Sequence, residues 1–135
     1  MPTISGKCLC GNISYRADTE IKMMANCHCV DCRTATGAVF GTLLFIAEDD
    51  LEISGTPRVF KHTSDSGSAM EKHFCPDCGT QLFGKNSNRP GVYSVRAGHV
   101  EQTDLIQPGV NVYMSSKIPS TPVDPELKGF DKMPG

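Results

Sequence analysis

The sequence contains no tryptophan and only 7% aromatic residues, so its core must close without its largest fillers. With 39% apolar residues and 13 glycines over 135 positions, there is material for one core and little to spare. A chain so furnished gains from a staple, and metal is one of the few available. Long apolar runs are also missing. The longest, Val39–Ala47, is broken by Gly41 and Thr42 and is too short to span a bilayer. Met1–Lys7 holds no apolar stretch resembling a signal peptide, so a soluble protein in the reducing cytoplasm is expected. Basic charge is not in surplus: 13 Lys and Arg face 15 Asp and Glu, for a net charge of −2. That disfavours a zinc-ribbon-like nucleic-acid binder, which needs a basic patch.

What the chain does have is cysteine. There are seven, an odd number that cannot pair completely into disulfides. In a reducing compartment, clustered cysteines point to metal instead. They fall as Cys8-x-Cys10, Cys27-x-Cys29-x-x-Cys32 and Cys75-x-x-Cys78. Thiolate is a soft ligand and C-x2-C presents two sulfurs to one tetrahedral ion, for which zinc is the default. Seven ligands divide naturally into four and three: one closed site and one with an open corner. Structural zinc sites are closed and catalytic ones keep a position free. Spacing leaves the sharing open: Cys75 and Cys78 can join Cys8 and Cys10, or part of the central group.

Between the cysteines the chain reads as short strands separated by turns. Strands are expected at Asn12–Ala17, Lys22–Ala25, Val39–Ile46, Leu51–Ile53, Val59–His62, Ala69–Phe74, Thr80–Phe83 and Val92–Ala97, with a short element at Val110–Met114. Cys8-Leu9-Cys10 is expected to be extended, with both sulfurs on one side and Gly11 turning beneath them. Arg33–Thr36 reads as one helical turn ended by Gly37, and Cys75-Pro76-Asp77-Cys78-Gly79 as a zinc knuckle. Thr63–Ser68 and Lys85–Pro90 read as polar turns. No repeat or linker divides the chain, so residues 1–135 form a single mainly β domain, with 119–135 an irregular tail on the surface.

Three stretches together carry a resemblance: Gly6-Lys7-Cys8-Leu9-Cys10-Gly11 with Tyr15, Cys27-His28-Cys29-Val30-Asp31-Cys32-Arg33 with Gly37, and Phe74-Cys75-Pro76-Asp77-Cys78-Gly79. In order and spacing, over about residues 6–83, the sequence resembles the glutathione-dependent formaldehyde-activating enzyme family. It departs from many relatives in lacking a Trp after a segment like Val110–Lys117. The resemblance implies a zinc-stapled β-tent of folded β-sheets and two zinc ions per chain. It assigns Cys8, Cys10, Cys75 and Cys78 to a structural zinc, and Cys27, Cys29 and Cys32 to a catalytic one.

Three thiolates on a zinc dication leave a net −1 centre still able to take a further thiolate. A thiol such as glutathione, joined to a small aldehyde, is the substrate pair the resemblance implies. The reverse reaction cleaves a carbon–sulfur bond, so the implied activity is that of a carbon–sulfur lyase like S-(hydroxymethyl)glutathione synthase. The alternative is a non-catalytic protein-binding module with both metals structural, in which His28 or a distant His supplies the eighth ligand. His28 and Arg33, beside the central cysteines, are the candidate supporting residues, as proton donor and as anion or sulfur contact. Lys72, Arg96 and Lys117 are weaker candidates for meeting substrate carboxylates. His62, His73 and His99 read as structural or surface residues.

Overall fold

The computed structural model describes residues 1–134. The chain is mainly β, with eleven strands, one α-helix and four short 3-10 turns among these residues. A small antiparallel sheet joins β1 (Thr3–Lys7), β2 (Ser14–Asp18) and β5 (Leu51–Ser54) in the order β1-β2-β5. The large sheet contains β3 (Met23–Cys27), β4 (Gly41–Ala47), β6 (Arg58–Thr63), β7 (Ala69–Phe74), β8 (Gln81–Asn86), β9 (Val92–Arg96), β10 (Val110–Val112) and β11 (Lys128–Gly129). Its spatial order is β11-β10-β3-β4-β9-β8-β7-β6. Helix α1 (Val30–Thr36) leaves β3 after the first central cysteine. No helix among the described residues is long and apolar enough to cross a membrane.

β4 explains why the longest apolar run lies in the middle of the large sheet. Successive strand residues face opposite sides. Leu44 and Ile46 accordingly enter one buried cluster, while Leu43 and Phe45 enter another. A strand buried on both faces reads as continuous apolar sequence rather than alternation. The first cluster fills the space toward the small sheet, where Ile4, Tyr15 and Ala17 meet Leu82, Phe83 and Val95. Tyr15 stands edge-on to Phe83, ring centroids 5.3 Å apart. The second cluster, on the opposite face, contains Ala25, Val112 and two of the central cysteines. Two of the central cysteines are therefore built into the core rather than set on an exposed loop.

Several elements extend beyond their sequence-based bounds. β3 runs on to include Cys27, β8 runs to Asn86, and the single turn at Arg33–Thr36 is a seven-residue helix. β1 has no counterpart in the sequence reading. Its inward residues are Ile4 and Gly6, and a glycine carries no apolar signal. Gly6 is required there: a Cβ would overlap the His99 carbonyl oxygen and the Tyr15 hydroxyl. Tyr15 donates its O–H to His99 Nδ1 at 2.8 Å, and His99 Nε2–H donates to the Gln81 carbonyl at 3.1 Å. His99 thus ties both sheets together, and burial holds its pKa below the ordinary histidine value. Gly6→Ala must push that network apart, and thermal melting is expected to show about 1–3 kcal/mol of lost stability, as overpacked cores do.

The tail is not wholly irregular. Lys128–Gly129 pairs in parallel with β10, Phe130 N–H bonds to the Asn111 carbonyl, and Phe130 and Met133 pack against the second cluster. Lys117 opens this segment. Its ammonium donates to the carbonyls of Ile118, Pro119 and Thr121, which uses all three of its N–H groups. Lys117 is thus a structural clasp at the start of this segment.

Candidate active site

Two cysteine groups form. Cys8, Cys10, Cys75 and Cys78 bring their sulfurs within 4.8 Å of one another, and Cys27, Cys29 and Cys32 do the same. The first group joins the β1–β2 loop to the β7–β8 loop. Cys8-Leu9-Cys10 is a turn rather than extended, closed by Gly11 N–H on the Cys8 carbonyl at 3.0 Å. Gly79 N–H closes the Cys75 turn in the same way at 2.9 Å, and both glycines have positive φ. Two facing knuckles result. The Cys8–Cys10 and Cys10–Cys75 sulfur separations are 3.6 and 3.7 Å. A tetrahedron of metal–sulfur bonds about 2.3 Å long has edges of about 3.8 Å, so this donor set fits a tetrahedral ion. Ile13 N–H and the Thr80 hydroxyl lie within hydrogen-bonding reach of Cys8 and Cys78 sulfur, and Thr80 pulls the Cys78 thiol down to about 5.

The central group is assembled by two elements, β3 and α1. β3 ends on Cys27, and Cys29 caps α1, its sulfur accepting Cys32 N–H at 3.2 Å. Cys32 follows on the first turn of α1, against the core. Hydrogen bonds from the Cys27 and Cys32 thiols drive the Cys29 pKa down, making it the most acidic sulfur of the three. Three soft donors on one side of a point fit three corners of a tetrahedron. Among the described residues no fourth His, Cys, Asp or Glu donor completes the group.

The three sulfurs line one cavity of about 300 Å³. Leu43, Phe45 and Val112 form its apolar wall; Lys72, Ser94 and Arg96 form a polar one, and Tyr113 closes a side. Lys72 on β7 and Arg96 on β9 are only 9% and 7% exposed, against the expectation that such residues lie in solvent. Burial pulls both pKa values down, and the negative sulfurs of the central group oppose that shift in each. Arg96 Nε donates to Gln81 at 3.2 Å and Nη1 to Ser94 at 3.1 Å, both neutral partners.

Two candidates fall outside the cavity. His28 is fully buried, donates Nε2–H to Asn111 Oδ1 at 3.1 Å, and packs on Phe40 with ring centroids 5.0 Å apart. Its Nδ1 is buried with no partner. Arg33 lines no part of the cavity, and its Nε is buried without a partner. Tyr113, by contrast, went unnoticed in the sequence. Parallel pairing sets Val112 opposite Cys27, so the next residue falls at the cavity. Tyr113 is the one non-glycine residue with positive φ, at 56°, among those described. The tail holds it there: Tyr113 N–H bonds to the Lys132 carbonyl and Met114 N–H to that of Phe130. Backbone strain of this kind gathers at functional sites.

A family model described as glutathione-dependent formaldehyde-activating enzyme matches residues 3–116. The chain belongs to that family. Among its relatives, an uncharacterized lyase of Schizosaccharomyces pombe is 32% identical over 97 residues, covering 72% of this chain and 68% of that protein. A protein of Phaeosphaeria nodorum, provisionally named a glutathione-dependent formaldehyde-activating enzyme, is 31% identical over 78 residues. That match covers 58% of this chain and 40% of the relative, less than half its length. A protein from Rhodobacter sphaeroides, solved by crystallography, has the same fold with a TM-score of 0.60 at 18% identity, covering 77% of this chain and 96% of its own. In this family member the two cysteine groups are positioned to hold metal ions, one enclosed by four sulfurs and one bordering the cavity.

Proposed function

We propose that the protein is a zinc-dependent carbon–sulfur lyase that joins and separates a thiol, such as glutathione, and a small aldehyde. The observation that carries this reading is the incomplete central group: three sulfurs, no fourth protein donor among the described residues, and a cavity at their side. Cys8, Cys10, Cys75 and Cys78 would hold a structural zinc, and Cys27, Cys29 and Cys32 a second. At the second site bound zinc supplies a soft Lewis-acidic centre that favours the thiolate form of an incoming thiol.

The chain's own residues supply the rest. Leu43, Phe45 and Val112 keep water from the reacting atoms and so strengthen every charge interaction in the cavity. In the forward direction the thiol sulfur bonds to the carbonyl carbon as the C=O π bond opens, and the thiol proton ends on oxygen. No electrons are lost or gained, so no further reactant is needed. The Tyr113 hydroxyl, kept protonated by burial and by the Asp65 carboxylate, is the cavity group that would hand a proton to that oxygen and take up in its place the proton the thiol releases. His28 is not available for this because Asn111 and Phe40 occupy its surroundings.

Two zinc equivalents of unequal lability are expected, with mild chelation removing the three-sulfur ion first. NMR exchange spectroscopy of glutathione and formaldehyde should show faster adduct exchange with zinc-loaded protein than with the chelated form. Equal exchange rates in both samples, or loss of both ions together, would count against the reading.

A further inference from the structure

We infer that Lys72 and Arg96 form a carboxylate site, and that the aldehyde handled here carries its own carboxylate on the carbonyl carbon. This deepens the thiol–aldehyde reading and rests on it. Two cations are buried on one cavity wall, and among the described residues no carboxylate is bonded to either. Asp31, whose carboxylate charge reaches Lys72, lines the same cavity but is half-exposed and faces His62 at 4.0 Å. Burying unpaired charge is costly, and here each cation also repels the other.

The charge count gives the reason for an occupant. A zinc dication with three thiolates carries −1, while Lys72 and Arg96 together carry +2. Before a thiol binds, one positive charge is left over, which one carboxylate would neutralise. The structure also makes room for this arrangement. At Gly84 a Cβ would come within 2.6 Å of Ser94 Oγ and 3.1 Å of Arg96 Nη2. Glycine there lets the guanidinium lie flat against β8. Its Nε and Nη1 are engaged by Gln81 and Ser94, while Nη2 makes no protein hydrogen bond among the described residues. A planar guanidinium held along one edge presents the other to a carboxylate.

The carboxylate's place in the substrate follows from the chemistry. Formaldehyde has no group for these cations. In an aldehyde such as glyoxylate the acid carbon is bonded directly to the carbonyl carbon. Anchoring the acid at Lys72 and Arg96 would hold the carbonyl in the cavity that the three sulfurs share. The carboxylates of glutathione are separated from its sulfur by a peptide unit or longer, which suits the outer cations. There Arg89 stacks over Phe45 at 5.1 Å and Lys85 pairs with Glu48 at 2.8 Å.

The test uses the zinc-loaded full chain and glycolate, an acid that cannot add a thiol. Calorimetry at low salt should show glycolate binding to the wild type and about tenfold weaker binding to Lys72→Met, which keeps the side-chain length and removes the charge. NMR exchange with glutathione should favour glyoxylate over formaldehyde, and that preference should fall about tenfold in Lys72→Met. No glycolate binding to the folded wild type would overturn the site, whether or not the variant folds. Glycolate binding with no exchange of either aldehyde would overturn the lyase reaction and leave the carboxylate site standing. If Lys72→Met lowers the preference for glutathione over cysteamine instead, the carboxylate belongs to the thiol and the aldehyde assignment fails.

Discussion

Cys75→Ser is expected to yield a chain that does not fold. Cys75 is fully buried and its sulfur faces those of Cys8, Cys10 and Cys78. A structural zinc contributes on the order of 10 kcal/mol or more, against a typical domain stability of about 5–15 kcal/mol. Part of that arises from chain topology. A metal joining Cys10 to Cys75 closes a loop spanning 65 positions, and a cross-link over such a loop removes about 4 kcal/mol of unfolded-state entropy. The remainder comes from fixing two knuckles that otherwise cost backbone entropy to order. The enclosed site is also the clip between the small sheet and β7–β8, so its loss should expose Tyr15 and Phe83 to water. Circular dichroism and bound-zinc analysis decide the matter. A Cys75→Ser protein that melts within a few degrees of wild type while retaining two zinc ions would show that the fold does not depend on this clip.

The parts of the fold that were legible beforehand have local causes. β4 announces itself because both of its faces are buried, and the Cys75 knuckle because Pro76 and Gly79 restrict the backbone around it. The grouping of the cysteine sulfurs into four and three was also legible once the family resemblance supplied the sharing. What escaped has equally physical reasons. β1 presents Ile4 and Gly6 inward, and a glycine cannot signal burial. α1 begins three residues early because its cap is the Cys29 sulfur, whereas the usual sequence signals for a helix start are oxygen side chains.

The site's polar wall was named only as a weak candidate, and its burial escaped for another reason. Lys72 and Arg96 are charged, and charged residues are ordinarily placed in solvent. One cue was present in the strand itself. Arg96 lies two residues from Ser94, so both share a face of β9 that an all-apolar core would not tolerate. Tyr113 gave no cue, since its position depends on parallel pairing between β10 and β3, strands separated by most of the chain. His28 shows the converse: adjacency in sequence to two of the central cysteines did not bring its ring to the cavity.

Cys29→Ser is expected to abolish turnover while leaving the fold intact. Of the three central cysteines, Cys29 is the one whose sulfur also accepts a backbone hydrogen bond at the helix start. Serine is among the best residues for that role, so the Cys32 N–H keeps its partner and α1 its start. Cys27 and Cys32 are buried in the second cluster, and replacing them would perturb packing as well as chemistry. The substitution should therefore cost about 1 kcal/mol or less in melting, since the cap is preserved. Its effect on the reaction should be far larger. Altering even an outer-shell partner of a metal ligand costs about 10–100-fold in affinity or activity, and this change removes a ligand sulfur outright. A loss of more than about a hundredfold in adduct exchange is expected by that comparison. Zinc analysis should find one tightly held ion and a second that is easily chelated. Full exchange activity in a Cys29→Ser protein carrying a single zinc would remove the central sulfurs from the reaction. The division between a metal that holds the fold and a metal that meets substrate would fail with them.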